Sequence, residues 1–351
     1  MQLLDLGFDH WFARHAPALQ DNEERLARVC AVDRGSYRLR NETGEVPAEL
    51  SGRFSHRIDR GIDLPCVGDW VGAQYYDNDK AAIIHATLPR RTFLRRKTPG
   101  RSTDHQMIAA NIDTAFLVQS CHFDFNLNRL ERYLLMAADG QVNPVILLTK
   151  TDLVSPQEME QKRAAISAVT SAAIIALSSV DGSGFDELAT MLEPGRTCCL
   201  LGSSGVGKTT IINRLLGQNR HAVQTVSKTG EGTHTTTRRQ LIVLDQGGIV
   251  IDTPGMRELG LAGTGSDLDA GLGELAALAT ACRYADCTHR HEPGCAVRAA
   301  LDRGDLPQER YANYIKLKKE LEFNEMSSRD KRRKDKAFGR LVKSVTRQGR
   351  G

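Results

Sequence analysis

The chain has 351 residues, 40% hydrophobic and 26% charged, with eight cysteines and a net charge of +4. This excludes a disordered or collagen-like chain and allows two or three domains with cores of their own. No apolar run reaches the length of a membrane span, and MQLLDLGFDHWFARH has early acidic residues and no cleavage site, so a cytoplasmic protein without a membrane partner is expected.

In chain order, residues from about 25 to 90 read as short strands with β-branched and aromatic enrichment, divided by turn signals: LARVCAV, SYRLR, EVPAEL, GDWVGAQYY and AAIIHATL. Five such strands predict a small β-barrel of OB type, a fold that often binds oligonucleotides. Arg53, Arg57, Arg60, Arg90, Arg91, Arg95, Arg96 and Lys97 are either its contacts to nucleic acid or a solvated rim. RRKTPGRSTDHQ reads as a polar linker, with a domain boundary after residue 97.

Beyond it, apolar runs alternate with helical patterns: DTAFLVQS, NRLERYLLMAADG, PVILLTK, a helix after Ser155, AAIIALSS, FDELATML and TCCLLGSSG. Such alternation predicts a parallel, doubly wound sheet over residues 98–265. RRQLIVLD and GGIVIDTPG, joined through Gln246 and Gly247, predict a hairpin that adds one antiparallel strand.

Gly202, Ser203, Ser204, Gly205, Val206, Gly207, Lys208 and Thr209 fill every fixed position of a phosphate loop, between an apolar run and the helical pattern TIINRLLG that begins at Thr210. Glycines let backbone N–H groups wrap the phosphates, Lys208 reaches the outer phosphates, and Thr209 ligates magnesium. Thr149, Lys150, Thr151 and Asp152 follow the strand PVILL. The Asp152 carboxylate can accept from two guanine donors, whereas adenine would leave it unpaired, so GTP is the expected nucleotide. Ser178 and Ser179, after the next strand, supply a second base-reading loop. Asp252 is placed to hold magnesium through water and Gly255 to touch the terminal phosphate. GEGTHTTTRR, residues 230–239, is the expected mobile loop, with the magnesium threonine left open among Thr235, Thr236 and Thr237.

The base-reading motif thus precedes the phosphate loop, the reverse of an ordinary GTPase. A GTPase series cut between its third and fourth motifs and rejoined elsewhere preserves the sheet, because domain termini tolerate permutation. Many GTPases have a water-orienting glutamine after the DTPG-type glycine; Met256 stands there, which predicts slow intrinsic turnover, with His234 the candidate catalytic group inside the chain alongside Lys208.

Residues 266–351 form the expected third unit, a zinc-binding module with a basic tail, which contains Cys282, Cys287, His289 and Cys295 inside CRYADCTHRHEPGC. Three thiolates and an imidazole in fourteen residues suit a closed, structural zinc site, with His291 an alternative to His289. Tyr314, Leu317 and Leu321 form an apolar helical stripe. From Arg329 to Gly351 there are ten basic and two acidic residues, +8, leaving −4 on residues 1–328.

Together the barrel, the permuted series with GSSGVGKTT, HTTT and DTPG, and CRYADCTHRHEPGC resemble the ribosome small subunit-dependent GTPase A family over nearly the whole chain. The resemblance implies a monomeric factor that binds the small ribosomal subunit and its rRNA late in assembly, with GTP hydrolysis stimulated by the subunit. Thr149 departs from the asparagine more usual in the family. Two other functions fit parts of the sequence: an RNA-binding assembly scaffold that uses GTP only as a binding switch, and a P-loop kinase, which would have no need of TKTD.

Overall fold

The computed structural model describes residues 1–16, 24–33, 35–58, 60–98, 105–217, 239–255, 260–261 and 272–325. After a short helix α1 (His10–His15), the barrel is built from β1 (Glu24–Asp33), β2 (Ser36–Arg40), β3 (Glu45–Leu50), helix α2 (Gly52–Arg57), β4 (Trp70–Tyr76) and β5 (Ala81–Thr87). The strands run β1-β2-β3-β5-β4, and β4 pairs back onto β1 to close the barrel. Alternation along the strands turns Val29, Leu39, Val71 and Ile84 into its core. This is the five-strand OB-like barrel that the turn spacing predicts.

The expected polar linker is not a linker at its ends. Phe93–Lys97 forms β6 and His105–Ala110 forms β7, an antiparallel pair. Its charged side chains hid the strands from a composition-based reading, because they have fixed partners: Arg95 makes a two-pronged ion pair with Asp139 at 2.6 and 2.7 Å, and Arg96 donates to Gln106. Leu94 and Ile108 supply the buried face. The boundary expected after residue 97 falls between these two strands.

The larger domain contains β8 (Thr114–Ser120), α3 (Leu127–Asp139), β9 (Asn143–Thr149), α4 (Pro156–Ser167), β10 (Ala173–Leu177), α5 (Phe185–Thr190), β11 (Thr197–Leu201), α6 (Lys208–Leu215), β12 (Gln240–Val243) and β13 (Ile249–Asp252). The sheet order is β10-β9-β8-β11-β13-β12; all are parallel except β12, which forms the expected hairpin with β13. Helices cover both faces. Tyr133, Leu134 and Ile166 from α3 and α4 bury one face, and Phe185, Leu188, Ile211 and Ile212 from α5 and α6 bury the other. In a sheet of this kind ligands bind beyond the carboxyl ends of the strands.

Two features join barrel and sheet. Ala31 of β1 pairs with Gln240 of β12, so one hydrogen-bonded sheet runs through both. Beneath that seam the buried Arg28 guanidinium donates to the carbonyls of Leu6 (2.5 Å), Gly68 (3.2 Å) and Asn111 (3.0 Å) and to Thr197 Oγ1 (2.8 Å). Burial pushes its pKa down to about 10, partly offset by Asp113 and Asp69.

Helices α7 (Gly273–Thr280), α8 (Ala296–Arg303) and α9 (Gln308–Glu325) form the third unit. Tyr314, Leu317 and Leu321 bury the predicted stripe of α9 together with Leu272, Leu275 and Val297. Among the described residues no helix is long and apolar enough to cross a membrane.

Candidate nucleotide site and cysteine cluster

Four strands deliver the nucleotide motifs to one edge of the sheet. β11 is buried along its length and releases the chain into Gly202, after which Gly205 and Gly207 take φ of 80° and 104°, in the left-handed region that favours glycine. A Cβ on Gly202 would lie 2.6 Å from the Val118 carbonyl, so the loop has to pass β8 without a side chain. Helix α6 begins at Lys208, placing Thr209 and Thr210 in its first turn, where unpaired N–H groups favour an anion.

Lys208 is 7% exposed, and its Nζ donates to the carbonyls of Gly202 (2.8 Å) and Ser203 (2.7 Å). Burial lowers its pKa to about 8, against a smaller upward pull from Asp252 and Asp124. Phosphate oxygens would replace those carbonyls as acceptors and restore the favoured charged form. Asp252, buried at the end of β13, brings its carboxylate to the same place, while Thr253 is pinned through its hydroxyl to Leu200 O at 2.6 Å. Gly255 packs on the phosphate loop so closely that a Cβ would meet Ser204 N at 2.7 Å.

The base-reading motif braces the same loop. Thr149 Oγ1 is 2.6 Å from Val206 O and 3.3 Å from Gln119 O; with one proton to give, the shorter contact is the principal one. Lys150 adopts φ 58° and donates from Nζ to Gly205 O at 2.8 Å, and burial lowers its pKa. Ser178 Oγ donates to Asp152 Oδ1 at 3.0 Å, tying the first base loop to the second. That serine also accepts from the N–H groups of Val180 and Asp181, so its orientation is fixed from both sides. Ser179 offers its carbonyl to Arg214 Nη1 at 3.1 Å, which fastens the second loop to the phosphate-loop helix. Arg214 and Gln119 carry no motif and were not singled out from the sequence.

The residues suit Mg²⁺ and a guanine nucleotide: a threonine hydroxyl at a helix start, a buried carboxylate at a neighbouring strand end, and a second carboxylate already oriented by a serine. His234, Thr235, Thr236, Thr237, Met256 and the tail from Arg329 lie outside the described residues.

Cys282, Cys287, His289 and Cys295 come together, with their ligand atoms within 4.8 Å of one another. His289 Nδ1 lies 3.5 Å from Cys282 Sγ and 3.6 Å from Cys295 Sγ. The imidazole is buried and its backbone takes φ 63°, held by Tyr311 Oη donating to His289 O at 2.7 Å. Burial lowers its pKa, followed by Lys318, which favours the neutral imidazole a metal requires. Backbone N–H groups of Ala296 and Arg298 point at Cys282 Sγ and Cys295 Sγ, support of the kind that surrounds metal thiolates. His291 is exposed and stands outside the cluster. Three sulfurs and one nitrogen at this spacing fit a tetrahedral ion such as zinc.

The basic residues of the barrel divide. Arg90 is paired with the fully buried Asp69 at 2.8 Å, and Arg91 with both Asp9 (2.6 Å) and Asp113 (3.0 Å). These two, like Arg95, hold parts of the fold together. Arg53 and Arg57 on α2 are exposed.

The RsgA GTPase family model matches residues 87–262. A protein of Opitutus terrae named small ribosomal subunit biogenesis GTPase RsgA is 42% identical over 334 residues, 92% of this chain and 90% of that protein. A Lactiplantibacillus plantarum protein named small ribosomal subunit biogenesis GTPase RsgA 2 is 42% identical over 319 residues, 90% of this chain and 89% of its own length. Among solved structures, YjeQ from Thermotoga maritima superposes with a TM-score of 0.62 at 26% identity, covering 85% of this chain and 98% of that one. YloQ, described as a circularly permuted GTPase, superposes with a TM-score of 0.59 at 24% identity, covering 89% of this chain and all of that one, a likeness of fold.

Proposed function

The chain belongs to the RsgA GTPase family, and from that premise we propose that it binds the small ribosomal subunit through rRNA late in assembly, as a cytoplasmic monomer whose GTP hydrolysis the subunit stimulates. The relatives' names connect such GTPases with small-subunit biogenesis. The single observation that carries the guanine assignment is the Asp152–Ser178 hydrogen bond at 3.0 Å, which presents a carboxylate at the strand ends where the base would lie.

In this reading Gly202–Thr210 cradles the phosphates, Lys208 and the α6 N-terminus neutralise them, and Gly255 senses the terminal one. Thr209 and Asp252 would hold Mg²⁺, whose contribution is to offset charge on the β- and γ-oxygens during hydrolysis. Thr149 and Lys150 keep the loop in shape, and Thr151, Asp152, Ser178 and Ser179 surround the base. Cys282, Cys287, His289 and Cys295 would hold one structural Zn²⁺.

Because Met256 stands where a water-orienting glutamine is usual, the chain alone turns over slowly and the subunit completes the site, with His234 the internal candidate. The basic tail and the exposed arginines of α2 add affinity by neutralising phosphates. GTP hydrolysis measured with and without purified small subunits tests this reading. A large increase in turnover is expected; unchanged turnover at saturating subunit would overturn it.

A further inference from the structure

A cleft of about 1090 Å³ opens between the start of α3, the carboxyl end of α4 and the start of α9. Phe125, Leu127, Ala165, Ala168, Val169 and Pro307 give it an apolar lining, and Ala168 and Glu309 are exposed at its rim. Most of its charges already have partners: Glu131 accepts from Asn313 Nδ2 with Arg310 Nε 3.8 Å from its other oxygen, and Asp305 is paired with Arg303 at 2.8 Å. A space of this size is more than a small ligand usually fills, so it suits a length of polypeptide.

The chain itself holds a segment of matching pattern. Beyond Glu325, the last described residue, the sequence includes KAFGRLVKSVTR, in which Phe338, Leu341, Val342 and Val345 recur at i, i+3, i+4 and i+7. At about 100° per residue these four share one stripe of a helix, and Lys336, Arg340, Lys343 and Arg347 share the opposite one. Gly339 makes the segment a poor helix in isolation, so the stripe needs a surface on which to order. The reach is sufficient. Helix α9 has 18 residues, about 27 Å of helix, and its first turn lines the cleft. Thirteen residues lead from Glu325 to Phe338, about 43 Å when extended, enough to run back along α9.

We propose that residues 336–347 of the chain's own tail dock in this cleft as an amphipathic helix, apolar stripe inward, the way such a helix face seats in an apolar groove. The four cations then stand in a fixed row on the outside rather than on a loose chain. A row set in advance meets a phosphate backbone at a lower ordering cost than a free tail does. The inference concerns the chain alone, so its test contains no ribosomal partner and its failure leaves the subunit reading standing.

The test is amide hydrogen exchange on full-length protein, followed in peptides that cover residues 165–171 and 336–347. Leu341→Asp puts a charge into the apolar stripe, and Ala168→Arg puts a long side chain on an exposed position of the cleft. Exchange over 336–347 in the wild type is expected to be at least about tenfold slower than in an unstructured chain, and each variant should return it to the unstructured rate. Leu341→Asp should also speed exchange over 165–171, which the docked helix covers. Both variants should bind GDP as the wild type does, which shows that the fold is intact. Unstructured rates over 336–347 in the wild type, or protection that survives Ala168→Arg, would overturn the proposal. So would protection that grows with protein concentration, because it assigns the stripe to a second copy.

Discussion

The Thr149 hydroxyl lies 2.6 Å from the carbonyl oxygen of Val206, so a side chain from the base-reading motif fastens the middle of the phosphate loop. Lys150 repeats the connection one residue on, at Gly205 O. These contacts close a series whose motifs occur in permuted order along the chain: β9, which ends in the base motif, precedes β11 in sequence, and both deliver to the same edge of the sheet. At Thr149 a single hydroxyl does the bracing.

Thr149→Val should therefore weaken GDP and GTP together. The change deletes the donor and leaves the Val206 carbonyl without its partner in a buried place, a loss of about 1 to 3 kcal/mol when fully expressed. A fall in affinity of at least about fivefold is expected in a fluorescent-nucleotide titration, with Thr149→Ser close to wild type. Equal affinities for the valine variant and wild type would show the contact to be incidental.

Asp152→Asn reverses the hydrogen-bond polarity offered to the base. Guanine affinity should drop while xanthine nucleotides, which present a carbonyl where guanine has its amino group, should gain. The two are compared by competition against labelled GDP. Unaltered preference for guanine in the variant would remove Asp152 from the base site.

Nucleotide affinity should also depend on pH through Lys208. Burial lowers its pKa to about 8 in the free protein, and bound phosphate would raise it, so the complex binds the proton more tightly. Affinity is then fully present below pH 8 and declines as pH rises above it. Folding stability of the free protein moves the opposite way: the depressed pKa disfavours the fold at low pH, and stability increases as pH climbs from about 8 towards the unfolded value. Lys208→Met should lose both slopes.

How much of this was legible in the sequence depended on the kind of signal. β-branched and aromatic enrichment between turn signals was enough for the five barrel strands; of these AAIIHATL also alternates, whereas LARVCAV is buried at five consecutive positions, Ala27 to Ala31, and shows no alternation. The cysteine cluster was legible because metal ligands need particular elements at short spacing, yet the choice of His289 over His291 depends on a backbone turn at φ 63° that spacing does not encode. Strand β6 was missed because Arg95 and Arg96 look like solvated charges until Asp139 and Gln106 are known to face them. Arg28 gave no signal either: a guanidinium satisfied by three carbonyls and a threonine has no sequence partner to reveal it.

The cysteine cluster should carry one zinc per chain, measured by elemental analysis of purified protein. Cys287→Ala removes one of the four donors and should abolish stoichiometric zinc and loosen the packing of α9, since Cys287 belongs to the same apolar cluster as Tyr314 and Leu317. The variant should retain a saturable GDP site. Wild-type protein that binds no zinc would contradict the assignment.

If the chain acts on the small subunit as proposed, its nucleotide state and its attachment to that subunit should be coupled. Linkage requires that if GTP tightens subunit binding, the subunit tightens GTP binding by the same factor. The direct measurement is the affinity of full-length protein for purified small subunits, taken once with GDP and once with a non-hydrolysable GTP analogue, across a range of salt. Tighter binding in the GTP state, with affinity falling as salt rises, is the predicted result. Equal affinities in the two nucleotide states would contradict the account.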